Sequence, residues 1–157
     1  MKPAKPIILV SRCLWGDSVR YDGEAQSIRG QLEPYRDRFR FLPFCPEVGF
    51  GLPVPRPSMA LYYTPDGIRL RRRNDGFDLT DTFESWLESV ALPELSGAIL
   101  KAKSPSCGLG TTKLYGDSGE LLPDKTDGLF AALLRRRLPN LPIADETCFS
   151  RLLDAPF

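Results

Sequence analysis

The stretch GAILKAKSPSCGLG, residues 97–110, joins an apolar run to a loop rich in serine, proline and glycine. The run GAIL is short and apolar on both faces, which is the pattern of a strand buried in a parallel sheet. The loop holds Cys107 among residues that restrict the backbone, and a cysteine that only fills a core does not need such surroundings. This stretch therefore predicts a buried strand followed by a cysteine that is presented for binding or catalysis.

Outward from this stretch, strand patterns and helix patterns alternate along the chain. Strands are predicted at 7–11, 40–45, 97–102 and 141–145, a hairpin at 59–73, and helices at 80–92 and 126–138, with a weak helical pattern around Ile28, Leu32 and Tyr35 and a short terminal helix. This order predicts an α/β fold: a three-layer, Rossmann-like, mostly parallel sheet with helices on both faces and a β-hairpin insertion. A length of 157 residues predicts a single domain over residues 1–157.

The composition excludes several classes of function. Histidine is absent, so no Ser-His-Asp triad, Cys-His pair or HExxH zinc site can form. With 21 Lys and Arg against 20 Asp and Glu, strong non-specific binding to nucleic acid is not expected. The N-terminal apolar run, Ile7 to Val10, is too short for a signal peptide or a membrane span, so we expect a cytoplasmic protein without membrane contact. The oligomeric state is left open.

Three of the four cysteines follow predicted strands. Cys13 comes after the strand at 7–11, Cys45 closes the strand at 40–45, and Cys107 follows the strand at 97–102. Because the carboxyl ends of parallel strands share one edge of a sheet, these residues are predicted to converge there. From position alone, they are either ligands of a metal or cluster, or separate buried thiols. Cys148 is predicted to be a small buried apolar residue in the last helix.

Three segments carry a resemblance to a known family. They are CLWGDSVRYDG (13–23), CPEVGFGLPVPRP (45–57) and LKAKSPSCG (100–108), and the following helix at DGLFAALLRR (127–136) is also similar. Together they resemble the thiouracil desulfidase family of small iron–sulfur enzymes. One departure is Ser58-Met59-Ala60, since many relatives have Pro-Ala-Glu after the segment PRP.

The resemblance implies an enzyme that releases hydrogen sulfide from a thiolated nucleobase or nucleotide, without net electron transfer. It implies a [4Fe-4S] cluster held by Cys13, Cys45 and Cys107, with one iron left free of protein ligands to take the substrate sulfur. Glu47 and Ser104 are then expected to assist proton transfer and the attack of water.

Three further residues are assigned to substrate binding, and some have alternatives. Ser106 and Asp22 are placed in the pocket, although Asp22 is as well suited to shaping a turn. Arg56 is expected to meet an anionic group of a nucleotide or to form a solvent-facing salt bridge. Without the resemblance, Glu47 is also open to interpretation as an exposed loop acid. The basic run at 69–73 is predicted to be a solvated hairpin face, with phosphate or RNA contact as the alternative.

Two other functions remain open at this stage. The same cysteines suit a non-enzymatic iron–sulfur or thiol-based redox or binding protein. Such a carrier ordinarily closes its cluster with a fourth protein ligand, and only Cys148 is available for this. The second alternative is zinc bound by three cysteines and a carboxylate.

Overall fold

The computed structural model describes residues 4–17, 21–22 and 27–155. Over these residues, the strands are β1 (Ile7–Ser11), β2 (Arg40–Phe44), β3 (Met59–Thr64), β4 (Gly67–Arg72), β5 (Gly97–Leu100), β6 (Thr112–Gly116), β7 (Leu121–Thr126) and β8 (Ile143–Asp145). The helices are α1 (Arg12–Trp15), α2 (Arg29–Leu32), α3 (Pro46–Phe50), α4 (Thr80–Ser89), α5 (Leu129–Arg137) and α6 (Phe149–Asp154), with a 3-10 turn at Glu33–Tyr35.

The first sheet, sheet A, has the strand order β2-β1-β5-β8, and its neighbouring strands are parallel. Successive side chains of a strand point to opposite faces of the sheet, and in the central strands the side chains on both faces are buried. Ile8 and Val10 join one apolar cluster, while Leu9 joins the other. The run GAIL forms β5 at the centre of this sheet, as predicted.

Helices cover both faces of sheet A. Leu14 of α1, Leu32 of α2 and Leu153 of α6 belong to the cluster on one face. Phe83 of α4 and Phe130 of α5 belong to the cluster on the other face. The predicted α/β architecture with a parallel sheet and flanking helices is confirmed.

The predicted hairpin forms from β3 and β4, but it belongs to a second sheet. Sheet B has the order β4-β3-β6-β7, with β3 and β6 parallel and the outer pairs antiparallel. Neither β6 nor β7 was predicted from the sequence. Strand β7 (LLPDKT) is mostly exposed and has no apolar alternation. Since Thr126 ends β7, α5 begins at Leu129 and not at residue 126.

Two other predictions differ from the structure. Helix α4 ends at Ser89 and not at residue 92; the residue before Pro93 is disfavoured in helical conformation. Cys148 is exposed, so its predicted burial is wrong. The last helix begins only at Phe149, and Cys148 lies in the turn after β8, where its Sγ is 3.7 Å from Asp145 Oδ1.

Among the described helices, none combines the length and the apolar composition that crossing a membrane requires.

Candidate active site at the carboxyl edge of sheet A

A cavity of about 580 Å³ lies where the strands of sheet A end. Its walls come from the segments that follow β1, β2, β5 and β8, together with residues near the start of β3 and the end of β4. The polar and sulfur-bearing residues of its lining are Ser11, Arg12, Tyr21, Cys45, Glu47, Arg56, Ser58, Met59, Arg73, Lys101, Lys103, Ser104, Cys107, Glu146 and Thr147. The cavity therefore lies at the edge where the sequence predicted a site.

The loop that carries Cys107 is fixed by hydrogen bonds at both ends. Ser104 Oγ accepts hydrogen bonds from the amides of Ser106 and Cys107, both at 3.1 Å. The amides of Leu129 and Phe130, at the start of α5, donate to the carbonyls of Pro105 and Ser106 at 3.0 and 2.8 Å. First-turn amides of a helix have no partner within the helix, so the loop and α5 stabilise each other.

Close packing against this loop requires glycine at position 128. A Cβ atom there would collide with the carbonyl of Ser106 and lie 2.7 Å from the amide nitrogen of Cys107. The Gly128 amide also donates to the carbonyl of Gly108 at 2.7 Å. The backbone of α5 thus approaches the cysteine loop more closely than any side chain would allow.

Cys45 and Cys13 are held by the short helices that follow their strands. Cys45 directly precedes α3, and the backbone amides of Val48 and Glu47 in the first turn of this helix lie near its thiol. Cys13 lies in α1, directly after β1, and is buried in the same apolar cluster as Leu14. Each cysteine therefore takes its position from a strand end, as the sequence predicted.

Cys107 lies within electrostatic range of both Cys13 and Cys45. Burial raises the pKa of the Cys107 thiol well above the ordinary cysteine value, although a hydrogen bond from the Ser11 hydroxyl opposes this. The charges of Cys45, Cys13 and Glu47 raise it further. Burial also raises the pKa of Cys45, although the Val48 amide lowers it. Burial therefore favours the neutral form of the Cys45 and Cys107 thiols.

The donor set fits an iron–sulfur cluster. All three cysteines are free, and polar groups that can hydrogen-bond to cluster ligands lie near two of the sulfurs, the Ser11 hydroxyl at Cys107 and the Val48 and Glu47 amides at Cys45. Within the described ranges, no three Cys, Asp or Glu side chains are grouped closely enough to hold one metal ion, the arrangement that zinc would need. Ligands of separate irons in a cluster stand farther apart, since the inorganic sulfides fill the space between the irons.

Glu47 lies at the cavity in a buried ion pair. Its Oε1 accepts a hydrogen bond from Arg56 Nε at 3.0 Å and lies 3.0 Å from Arg56 Nη2, and its Oε2 accepts a hydrogen bond from Ser106 Oγ at 2.8 Å. The side chains of Arg56 and Glu47 are only 4% and 11% exposed. Neither the exposed loop acid nor the solvent-facing salt bridge is present. The carboxylate is instead fixed in one orientation, with Arg56 also bonded to the carbonyl of Pro53 at 3.0 Å.

The other predicted site residues differ in whether they line the cavity. Ser104 lines the cavity together with Glu47. Ser106 is buried and contacts Glu47 without lining the cavity. Asp22 is exposed, next to Tyr21, which does line it. The matches at Arg20 and Gly23 lie outside the described residues.

The sequence interpretation missed an ion pair in the cavity wall. Lys101 Nζ lies 2.8 Å from Glu146 Oε2, and both residues line the cavity. Lys101 belongs to the segment that carried the resemblance, but it had no assigned role. Glu146 directly follows the β8 strand, so the rule that located the cysteines could have found it.

The basic run of the hairpin is occupied by surface ion pairs. Arg69 pairs with Asp78 and Asp81, while Arg71 pairs with Asp117. For Arg69 and Arg71 these contacts match the predicted solvated hairpin face, whereas Arg73 at the end of the run lines the cavity.

Comparison with known proteins agrees with this geometry. A family model described as 2-thiouracil desulfurase matches residues 8–146. A solved structure of the [4Fe-4S]-dependent thiouracil desulfidase TudS has 32% sequence identity and a TM-score of 0.68, covering 94% of this chain and 95% of that one. Curated protein sequences gave no match. The matched region contains all three cysteines, Glu47 and all of sheet A except Ile7, and this chain therefore belongs to the 2-thiouracil desulfurase family.

Proposed function

We propose that this protein removes sulfur from a thiolated nucleobase or nucleotide and releases it as hydrogen sulfide. The observation that supports this most directly is the position of Glu47, fixed at the wall of a cavity that Cys45 and Cys107 also line. The likeness to TudS, a [4Fe-4S]-dependent thiouracil desulfidase, supports the same reaction and cofactor for this chain.

Cys13, Cys45 and Cys107 would hold the cluster, leaving one iron without a protein ligand. When bound, the cluster supplies a thiophilic iron that polarises the thiocarbonyl group of the substrate. The positive charge of iron also favours the thiolate form of ligands that burial otherwise keeps protonated. The Val48 and Glu47 amides near Cys45 and the Ser11 hydroxyl near Cys107 are donors that would bond to the two sulfurs in the thiolate form.

Glu47 acts as the general base for water. Arg56 and Ser106 position its carboxylate, and Oε2, which accepts the hydrogen bond of the Ser106 hydroxyl, has a second lone pair that can accept a proton. The water oxygen bonds to the thiocarbonyl carbon and the carbon–sulfur bond breaks. The two protons of water leave with the sulfur as hydrogen sulfide, so no electron donor or acceptor is needed.

Ser104 is the second group for proton transfer. Its oxygen already accepts two amide hydrogen bonds, so the orientation of the hydroxyl is restricted while its proton stays available to the cavity. Arg56 and Ser106 had been predicted to contact the substrate. We assign them instead to the positioning of Glu47, because their hydrogen bonds go to its carboxylate.

The charge of the cavity favours an electron-rich substrate. Its lining includes five basic side chains, Arg12, Arg56, Arg73, Lys101 and Lys103, against two acidic ones, Glu47 and Glu146. A polarised thiocarbonyl, a ring anion or a nucleotide phosphate is each attracted by this excess of positive charge.

Anaerobic reconstitution with iron and sulfide tests the proposal. We expect a brown protein that releases hydrogen sulfide from thiouracils or thiouridine phosphates. Cys107→Ser should lose the cluster absorbance and the release of sulfide together, while Cys148→Ser should retain both. Loss of the cluster in Cys148→Ser would favour the redox carrier, and a colourless active zinc protein would contradict the proposed cofactor.

A further inference from the structure

The ion pair between Lys101 and Glu146 has no part in the chemistry described so far. The two side chains are 14% and 18% exposed, and both line the same cavity as Cys45 and Cys107. Partly burying two charges costs free energy unless they are well paired and hydrogen-bonded. A pair in this position therefore points to a contact with a molecule bound in the cavity.

Both members of the pair are anchored to the ends of sheet A. The Lys101 amide, directly after β5, donates to Ser11 Oγ at the end of β1 over 2.9 Å. Glu146, directly after β8, accepts a hydrogen bond from the Ala102 amide at 2.7 Å through Oε1. Groups fixed by strand ends hold their geometry better than groups on long loops. The Lys101 ammonium is thus preorganised at the cavity wall.

The hydrogen-bond inventory of Lys101 leaves capacity for a ligand. Its ammonium contacts Glu146 Oε2 at 2.8 Å and donates to the carbonyl of Ala102 at 2.9 Å. An ammonium has three N–H groups and no acceptor, so one more hydrogen bond to an acceptor atom is possible. The carboxylate of Glu47, in contrast, can only accept hydrogen bonds.

A thiolated pyrimidine offers one acceptor that suits this donor. Its polar groups are the thiocarbonyl sulfur, ring N–H groups and a carbonyl oxygen. The proposed reaction directs the sulfur towards the cysteines, and ring N–H groups are donors that suit an acceptor such as Glu47. We propose that Lys101 donates a hydrogen bond to the carbonyl oxygen of the thiolated pyrimidine and thereby selects substrates that carry one.

This inference rests on the proposed desulfuration, and a comparison of two substrates tests it. The probes are 2-thiouracil and pyrimidine-2-thione, which lacks the carbonyl oxygen. The measured quantity is the ratio of kcat/KM for the two compounds in reconstituted protein. Lys101→Met should lower this ratio about 10- to 100-fold, the usual effect of losing a hydrogen bond to a charged group. Differences in intrinsic reactivity cancel, because both proteins meet the same two compounds.

Two other lysines serve as comparisons. Lys113→Met, at an exposed position of β6 that does not line the cavity, should leave the ratio unchanged. Lys103 lines the cavity but is exposed. A fall of the ratio in Lys103→Met, with none in Lys101→Met, would overturn the proposal.

A binding measurement keeps the test independent of turnover and folding. Calorimetry should show that wild-type protein binds uracil more tightly than pyrimidin-2-one, and that Lys101→Gln loses this preference. Glu146→Gln, which keeps the ammonium, should retain it. An unchanged preference in Lys101→Gln would contradict the role of Lys101. If wild-type protein releases no sulfide from either thione, the desulfuration proposal fails, while the binding preference still tests Lys101.

Discussion

Two regions of the molecule contain arginine–carboxylate ion pairs, and they differ in burial and in purpose. At the cavity, Arg56 and Glu47 are almost entirely enclosed, and Ser106 and the carbonyl of Pro53 complete their hydrogen bonds. On the hairpin face of sheet B, Arg69 makes a bidentate contact with Asp78 while remaining 21% exposed, and Asp78 is 31% exposed. The same chemical pair thus occurs in two different dielectric environments.

The comparison shows that the environment of an ion pair determines its effect. A buried pair fixes a carboxylate in one place, but it makes each partner depend on the other, because an unpaired buried charge is very unfavourable. An exposed pair is screened by water and salt, and the loss of one partner leaves the other solvated. The four predictions that follow test this difference, beginning with the largest effect.

The largest effect should come from removing the charge of the cavity carboxylate. Glu47→Gln should lower kcat for sulfide release by roughly 10²- to 10⁴-fold, because the proposed general base is lost. Asp78→Asn is the matched change on the hairpin and should leave kcat within twofold. Sulfide assays on proteins with equal cluster absorbance give the comparison. Equal losses of activity in the two variants would contradict the assignment of Glu47.

The second effect concerns the two arginines. Arg56→Met should lower the free energy of unfolding by about 3–5 kcal/mol, since it leaves the carboxylate of Glu47 buried without its cation. Arg69→Met should cost about 1 kcal/mol or less. Urea unfolding of both variants without the cluster measures the difference, and similar losses would show that burial does not distinguish the two pairs.

The third effect is the response to salt. Raising the ionic strength from about 0.1 M to 1 M shortens the screening length from about 10 Å to 3 Å. The stability difference between wild type and Arg69→Met should shrink under this change, while the difference for Arg56→Met should remain. If salt reduced both differences by the same fraction, the pair at Glu47 would have to be accessible to solvent.

The smallest effect is a dependence on acid pH. Partial burial acts to raise the pKa of Asp78, but hydrogen bonds from Arg69 and Thr80 outweigh it and lower the value from 3.8 to about 2. Because the folded-state pKa is the lower one, this stabilisation is complete above pH 3.8 and is lost as the pH falls through about 2. The stability advantage of wild type over Asp78→Asn should follow this course in urea titrations. An advantage that grew on acidification would reverse the sign of the linkage.

The sequence predicted the fold where a single strand or helix carried its own pattern. Apolar runs buried on both faces identified the strands of sheet A, and the turn at 65–67 identified the hairpin. Strand β7 was not predicted, because exposed strands at the edge of a sheet carry little apolar periodicity. Cys148 was predicted to lie in the last helix, but this helix begins one residue later, at Phe149. A shift of one residue at a helix start moves a side chain from the apolar face of the helix to the turn before it.

The candidate site likewise has features that the sequence predicts and features that it does not. The sequence by itself determined that three cysteines follow strand ends and that proline and glycine restrict their loops, because these are local properties of the chain. Only the tertiary structure decided that Arg56 forms an ion pair with Glu47, and that Lys101 forms one with Glu146, which lies 45 positions later in the sequence. Such pairings depend on which strand ends become neighbours and on how much water remains between them, and no local pattern carries that information.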